Sequence, residues 1–280
     1  MRKLLPLLPA LLITALLFGG GLVLSGVQSL GYAPALGQSG LNVNAYRQLF
    51  ADHTFWDALG LTAWVAAIST GLAAVLGTVF ALALRAVGAG GRLRFLFGLT
   101  LPIPHLVASI IVLLLISQSG LLSRLSAAAN LSAGPQDFPA LLYDPRGVGI
   151  ILELVWKETP FIGLNVLAAL TQLDPRLQEV ARTLGAGRWA RFWRVTLPLL
   201  RPALLSSGIL VFAFSLSSFE VPALLGATSP TTLPVLAYRA FTDTDLTARA
   251  SAMAISMVIA LMGGLLVWAY VRALGAGRRG

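Results

Sequence analysis

Cysteine is absent from these 280 residues. Disulfides, thiolate metal sites and cysteine nucleophiles are therefore excluded, and the redox compartment is left open. Lysine is almost as scarce: Lys3 and Lys157 are the only two, and neither follows a glycine. A phosphate-cradling loop needs glycines leading into Gly-Lys-Ser/Thr, so the chain carries no nucleotide site of that kind. The two histidines, His53 and His105, come without cysteines or a carboxylate cluster of metal-ligand spacing. No Gly-x-Ser-x-Gly elbow occurs, which leaves an intramembrane hydrolase without support. Charged residues make up only 11% of the chain.

What fills the chain is apolar. Hydrophobic residues account for 57%, and the mean hydropathy is +0.83. A soluble domain of this length has no core large enough to hide that much apolar surface, so an all-α polytopic membrane protein is expected. The net charge of +9 does not point to nucleic acid, because the basic residues are dotted between apolar runs rather than gathered on a polar domain.

A membrane span takes about 20 mostly apolar residues. Six stretches qualify, at roughly 5–27, 57–86, 95–117, 147–170, 202–226 and 249–272. The first follows Met1-Arg2-Lys3, and Ala33-Pro34-Ala35 offers a small-residue cleavage site, so a signal peptide is an alternative to a retained span. The length of the apolar run favours retention. Placing the N-terminus inside puts fourteen basic residues inside: Arg2, Lys3, Arg85, Arg92, Arg94, Arg176, Arg182, Arg188, Arg191, Arg194, Arg201, Arg272, Arg278 and Arg279. Five fall outside: Arg47, Arg124, Arg146, Arg239 and Arg249. That asymmetry sets both termini in the cytoplasm. The organisation expected is an N-terminal span and outer segment over 1–55, a five-helix domain over 56–272 with a cytoplasmic loop at about 171–201, and a basic tail over 273–280.

The loop between spans four and five has a structure of its own. Asp174-Pro175 predicts a helix start, with an Asp cap and proline at the first helical position. Gly185 predicts its stop. Between them Leu173, Leu177, Val180, Ala181 and Leu184 recur at spacings of three and four, which puts them on one face. After Gly187, Arg188 to Thr196 interleaves Trp189, Phe192 and Trp193 with arginines, the pattern of a helix at the membrane–water boundary. Leu197-Pro198 is expected to break that run and Pro202 to open the next span. On composition alone, a basic inner loop required only by topology explains the segment.

Ionisable residues inside spans are costly and mark candidate functional positions. Glu153, Lys157 and Glu158 fall in span four and Glu220 in span five, with a net charge of −2. Glu153 and Lys157 stand four apart in the favourable order for a helical ion pair. His105, in "LPIPHLV", reads as a polar residue facing the bundle. The acidic excess leans towards a cationic solute. Gly71 and Gly77 in span two, and Gly19-Gly20-Gly21 in span one, predict close helix approach. The outer segment 118–146 reads either as a contact for a solute-binding protein or as a poorly constrained loop.

Glu179-Val180-Ala181, then Gly185, nine residues, and Val195-Thr196-Leu197-Pro198 together resemble the EAA loop of permease subunits in binding-protein-dependent ABC importers, whose membrane domain is termed MetI-like. Val180 stands where that pattern has alanine. The resemblance covers the last five spans, about Trp56 to Arg272. It implies a MetI-like bundle and a coupling helix seated on a separate ATPase, with Glu179, Ala181 and Gly185 as the docking element and Arg182 and Leu184 beside it. Asp174, Pro175, Gly187, Leu197 and Pro198 would shape the loop. It implies two ATPase subunits, a second permease chain, an extracytoplasmic solute-binding protein and the lipid bilayer as partners, no nucleic acid, and no cofactor on this chain, ATP being used by the partner. "TPFIGLNVLAALTQLDPRLQEVARTLGA" and "SFEVPALLG", with Pro222, Leu224, Leu225 and Gly226, look like permeases of the spermidine/putrescine, ferric iron and thiamine group. The rival reading is a stand-alone ion-coupled carrier. That class needs inverted repeats, and no internal repeat is visible.

Overall fold

The computed structural model describes residues 7–34, 39–88 and 90–276, and its regular elements are all helices. Arg2, Lys3, Arg278 and Arg279 of the charge count, Ala35 of the cleavage motif and the end of the basic tail lie outside the described residues. In chain order the α-helices are α1 Leu8–Thr14, α2 Gly20–Ser29, α3 Asn44–Ala51, α4 His53–Ala86, α5 Gly91–Phe97, α6 His105–Ile116 and α7 Leu121–Ala128. They continue with α8 Val148–Thr171, α9 Pro175–Thr183, α10 Arg188–Arg191, α11 Leu197–Ser217, α12 Glu220–Leu225, α13 Leu233–Phe241 and α14 Ala248–Ala276. Among the described residues, five helical stretches are long and apolar enough to cross a membrane: Leu11–Ser29, His53–Ala86, His105–Ala128, Arg188–Ser217 and Ala248–Arg272.

Contacts divide the chain into two units. The first takes residues 1–60 and 230–264. Its core joins Ala45 and Leu49 of α3, Phe55 and Ala58 of α4, Leu233 and Ala237 of α13, and Ala254 and Ile255 of α14. Asp52 starts α4 by accepting the Thr54 amide at 2.8 Å, and that bond holds its carboxyl below the ordinary range. A side chain at Gly19, Gly20 or Gly21 would meet nothing within 4 Å. The three glycines thus do not mark a tight helix contact within this chain, contrary to the expectation. The apolar residues around them face outward, as Leu16, Leu17 and Phe18 do.

The second unit takes residues 61–229 and 265–280. Two buried clusters hold it. One joins Ala73, Ala81 and Leu84 of α4 to Ile162, Val166 and Leu170 of α8 and Leu200 and Val211 of α11. The other joins Leu61 and Val65 to Val112 of α6, Ile150 and Leu154 of α8, and Val221 and Leu225 of α12. Close approach at Gly77 is observed: a Cβ there would lie 2.8 Å from the Gly163 nitrogen and 2.9 Å from the Thr159 carbonyl. Gly71 meets nothing within 4 Å and serves no such contact. The outer segment is folded down rather than loose. Leu142 enters the second cluster, and the Tyr143 amide donates to the Leu225 carbonyl at 3.0 Å.

Four expectations about helix continuity are corrected. Span three does not run unbroken over 95–117, since Pro102 and Pro104 interrupt it and leave α5 and α6 separated by a turn. Span five does not run unbroken over 202–226 either: it stops at Ser217 and restarts at Glu220. Conversely, Leu197-Pro198 breaks nothing. A π-helical turn over Phe192–Thr196 joins α10 to α11, and Pro198 sits in the first turn of α11, where its missing amide is tolerated. Pro202 and Pro160 lie inside α11 and α8. At Pro160 the Thr159 hydroxyl donates to the Val155 carbonyl at 2.6 Å, one of the local adjustments that let proline persist within a helix.

Candidate functional site

Two places in the second unit gather the residues that the sequence singles out. The first is α9. Asp174 caps it by accepting the Arg176 amide at 2.9 Å, with Pro175 at the first helical position. At the far end the Ala186 amide reaches the Ala181 carbonyl and the Gly185 amide the Arg182 carbonyl, both at 3.0 Å, while Gly185 takes a φ of +80°. That paired bonding closes the helix with a left-handed glycine, as the sequence predicts. Nothing lies within 4 Å of where a Gly185 side chain would stand.

The apolar stripe of α9 is not consumed by its own chain. Leu177 is 45%, Val180 56% and Leu184 81% exposed, and no residue of the helix is buried. Glu179 and Arg182 are exposed beside them. One polar contact ties α9 down: Gln178 Nε2 donates to Thr196 Oγ1 at 2.9 Å, and Thr196 is buried at the root of α11. Gly187 precedes α10, where Trp189, Phe192 and Trp193 pack ring on ring at 5.4–6.1 Å. Trp189 and Trp193 remain largely exposed, as interfacial anchors would be.

The second place is a buried polar cluster on α8. Glu153 is 0%, Lys157 3% and Glu158 9% exposed. The expected Glu153–Lys157 pair is not made. Lys157 Nζ instead donates to the carbonyls of Thr100 at 2.6 Å and Ile103 at 2.7 Å, in the turn that breaks span three. Carbonyls there have lost their helical partners, and an ammonium with three donors satisfies them. Glu153 pairs with His105 Nδ1 at 3.1 Å, and His105 Nε2 lies 3.4 Å from Glu158. Phe214 of α11 covers the imidazole, with ring centroids 4.5 Å apart.

His105 is thus the polar residue that faces the bundle, but its place at the centre of the cluster went unrecognised in the sequence. The signal was present: a histidine directly after Pro102 and Pro104, where a broken span exposes backbone. Glu220 does not join the group. It is exposed at the start of the six-residue α12, where its carboxylate complements the helix N-terminus.

Residues 73–279 match the family described as the binding-protein-dependent transport system inner membrane component. The chain is 31% identical over 227 residues to the sulfate transport system permease protein CysW of Synechocystis sp., covering 79% of this chain and 78% of that one. It is 29% identical over 204 residues to the putrescine transport system permease protein PotI of Escherichia coli, covering 71% of this chain and 66% of that one. In fold it is similar to a solved bacterial alginate ABC transporter in complex with an alginate pentasaccharide-bound periplasmic protein. The TM-score is 0.76 at 20% identity, over 94% of this chain and 90% of that one.

Proposed function

The chain belongs to the binding-protein-dependent transport system inner membrane component family, and from that premise we propose that it forms one half of the translocation path of an ATP-driven importer and takes its power stroke through α9. The observation that carries the mechanism is α9 itself. A capped helix of nine residues with an exposed apolar stripe is too short to persist in water unaided, and among the described residues one side-chain hydrogen bond, Gln178 to Thr196, links it to the rest of its chain. A separate ATPase that grips Leu177, Val180, Ala181 and Leu184, with Glu179 and Arg182 at the rim, would move α9 as a lever. The continuous run from Arg188 through α11 would carry that motion into the bilayer. Gly185 would let the partner come close.

Six spans complete the reading. The sixth is α8, at 24 residues long enough to cross; its three charged residues set it apart from the five apolar stretches. Burial of those charges against α6 and the preceding turn keeps them out of the lipid. Both termini lie in the cytoplasm by the arginine distribution. The partners are two ATPase subunits, a second permease chain and an extracytoplasmic solute-binding protein.

The lean towards a cationic solute loses its footing. It came from a net −2 over Glu153, Lys157, Glu158 and Glu220, yet three of these are buried with His105 and Glu220 stands apart. Sulfate and putrescine, carried by relatives of near-equal similarity, have opposite charges. Choice of solute is assigned to the binding protein.

The test is copurification of the tagged chain from native membranes, followed by reconstitution. An associated ATPase whose hydrolysis drives uptake is the expected result. Solute movement by the isolated chain without ATP would instead favour a stand-alone carrier.

A further inference from the structure

Both ring nitrogens of His105 face a carboxylate oxygen, Nδ1 at 3.1 Å from Glu153 Oε1 and Nε2 at 3.4 Å from Glu158 Oε1. A neutral imidazole has one N–H donor and one bare acceptor, and ionised carboxylates only accept. Two such contacts on one ring therefore require one more proton, either on the ring or on a carboxyl. The surroundings decide between them. Lys157 stands on the same helix as both acids but supplies only one positive charge against two negative ones. A second cation at His105 completes the balance.

Two further contacts agree. Glu153 Oε2 is buried with no hydrogen-bond partner among the described residues, so a proton on that oxygen would have no acceptor. The His105 ring also lies against Phe214, tilted by 37°, and an aromatic face attracts a cation. Among the described residues the charged groups in contact with His105 are Glu153 and Glu158, both from α8; α11 presents the uncharged Phe214, and the turn before α6 presents carbonyls that Lys157 occupies.

We propose that His105 is held as an imidazolium, and that His105, Glu153, Lys157 and Glu158 form a charge-neutral buckle that fixes the broken third span on α8. Lys157 fastens the turn through its carbonyls, and His105 fastens the start of α6 through the two acids. The groups are spent on one another, so the buckle positions helices rather than meeting solute. It does not depend on the importer reading, because the ring protonation and the helix fastening are properties of this chain alone.

The chain has two histidines, and His53 is exposed at the start of α4, so His53→Gln leaves one imidazole to observe. Solid-state nitrogen NMR of that variant, labelled on histidine and held in lipid nanodiscs, reads the ring directly. Both nitrogens are expected to carry protons at neutral pH. One bare ring nitrogen at that pH overturns the proposal and puts the extra proton on a carboxyl. Melting in the same nanodiscs tests neutrality. His105→Gln leaves one unbalanced negative charge and is expected to lower the melting temperature. Adding Glu158→Gln restores the balance and is expected to raise it again. A double variant that melts at or below the single one overturns the role of neutrality.

Discussion

Gln178 of α9 donates its side-chain amide to the Thr196 hydroxyl at the root of α11, 2.9 Å away and 18 positions along the chain. Those two residues connect α9 to the helical run that continues as α11. Thr196 is buried and the apolar face of α9 is not, so this contact is what orients α9 against its own chain. Thr196→Val keeps the shape and removes the acceptor, a loss of about 1 kcal/mol. Backbone amides over 176–184 are expected to exchange hydrogen faster in the variant, while those of α8 stay unchanged. Equal exchange in both proteins would mean that α9 is held by something else.

Gly185 separates the effects of backbone strain from those of a partner. Its φ of +80° penalises any L-residue by about 1 kcal/mol, which is the whole cost expected of Gly185→Ala. Gly185→Arg adds a long side chain at a position whose Cβ meets nothing within 4 Å in this chain. The two variants are therefore expected to reach the membrane in similar amounts. Only the arginine variant is expected to lose an associated ATPase on copurification. Retention of the ATPase by Gly185→Arg would place the docking surface away from this glycine.

The loop was legible because its signals are local. An Asp-Pro start, a glycine stop and a spacing of three and four each act within a turn, and α9 follows them to the residue at both ends. The broken third and fifth spans were less legible, because hydropathy averages over about 20 residues and passes over a turn of a few. Proline misled in both directions. Pro102 and Pro104 interrupt a span, whereas Pro198 and Pro202 are absorbed once a π-helical turn shifts the register before them. The intramembrane charges were found, but their partners were not. A spacing of four suggested Glu153 with Lys157, while the tertiary fold brings up His105 and the carbonyls of a turn from more than 40 positions away.

Gly77 and Gly71 make a matched pair for helix packing. They lie on the same helix, six positions apart, yet only Gly77 touches a neighbour's backbone. Backbone atoms cannot rotate aside, so a methyl group at 2.8 Å from the Gly163 nitrogen must push α4 and α8 apart. Overpacking of this kind costs about 1–3 kcal/mol. Gly77→Ala is expected to melt several degrees below the parent, and Gly71→Ala is expected to match it. If both alanine variants melted alike, the close approach of α4 and α8 would not be a determinant of stability.

The absence of cysteine makes the orientation directly measurable, since any introduced thiol is the only one present. Thr183, exposed on α9, and Gln136, exposed in the outer segment, lie on opposite sides if the fourteen-to-five division of basic residues sets the topology. Neither side chain supports a neighbour: Thr183 bonds only the Val180 carbonyl of its own turn, and Gln136 sits in a short surface turn. In right-side-out cells, Gln136→Cys is expected to react with a membrane-impermeant maleimide. Thr183→Cys is expected to stay silent until the membrane is opened. The reverse pattern would put α9 outside, where no ATPase is available, and would remove the basis for a power stroke through this helix.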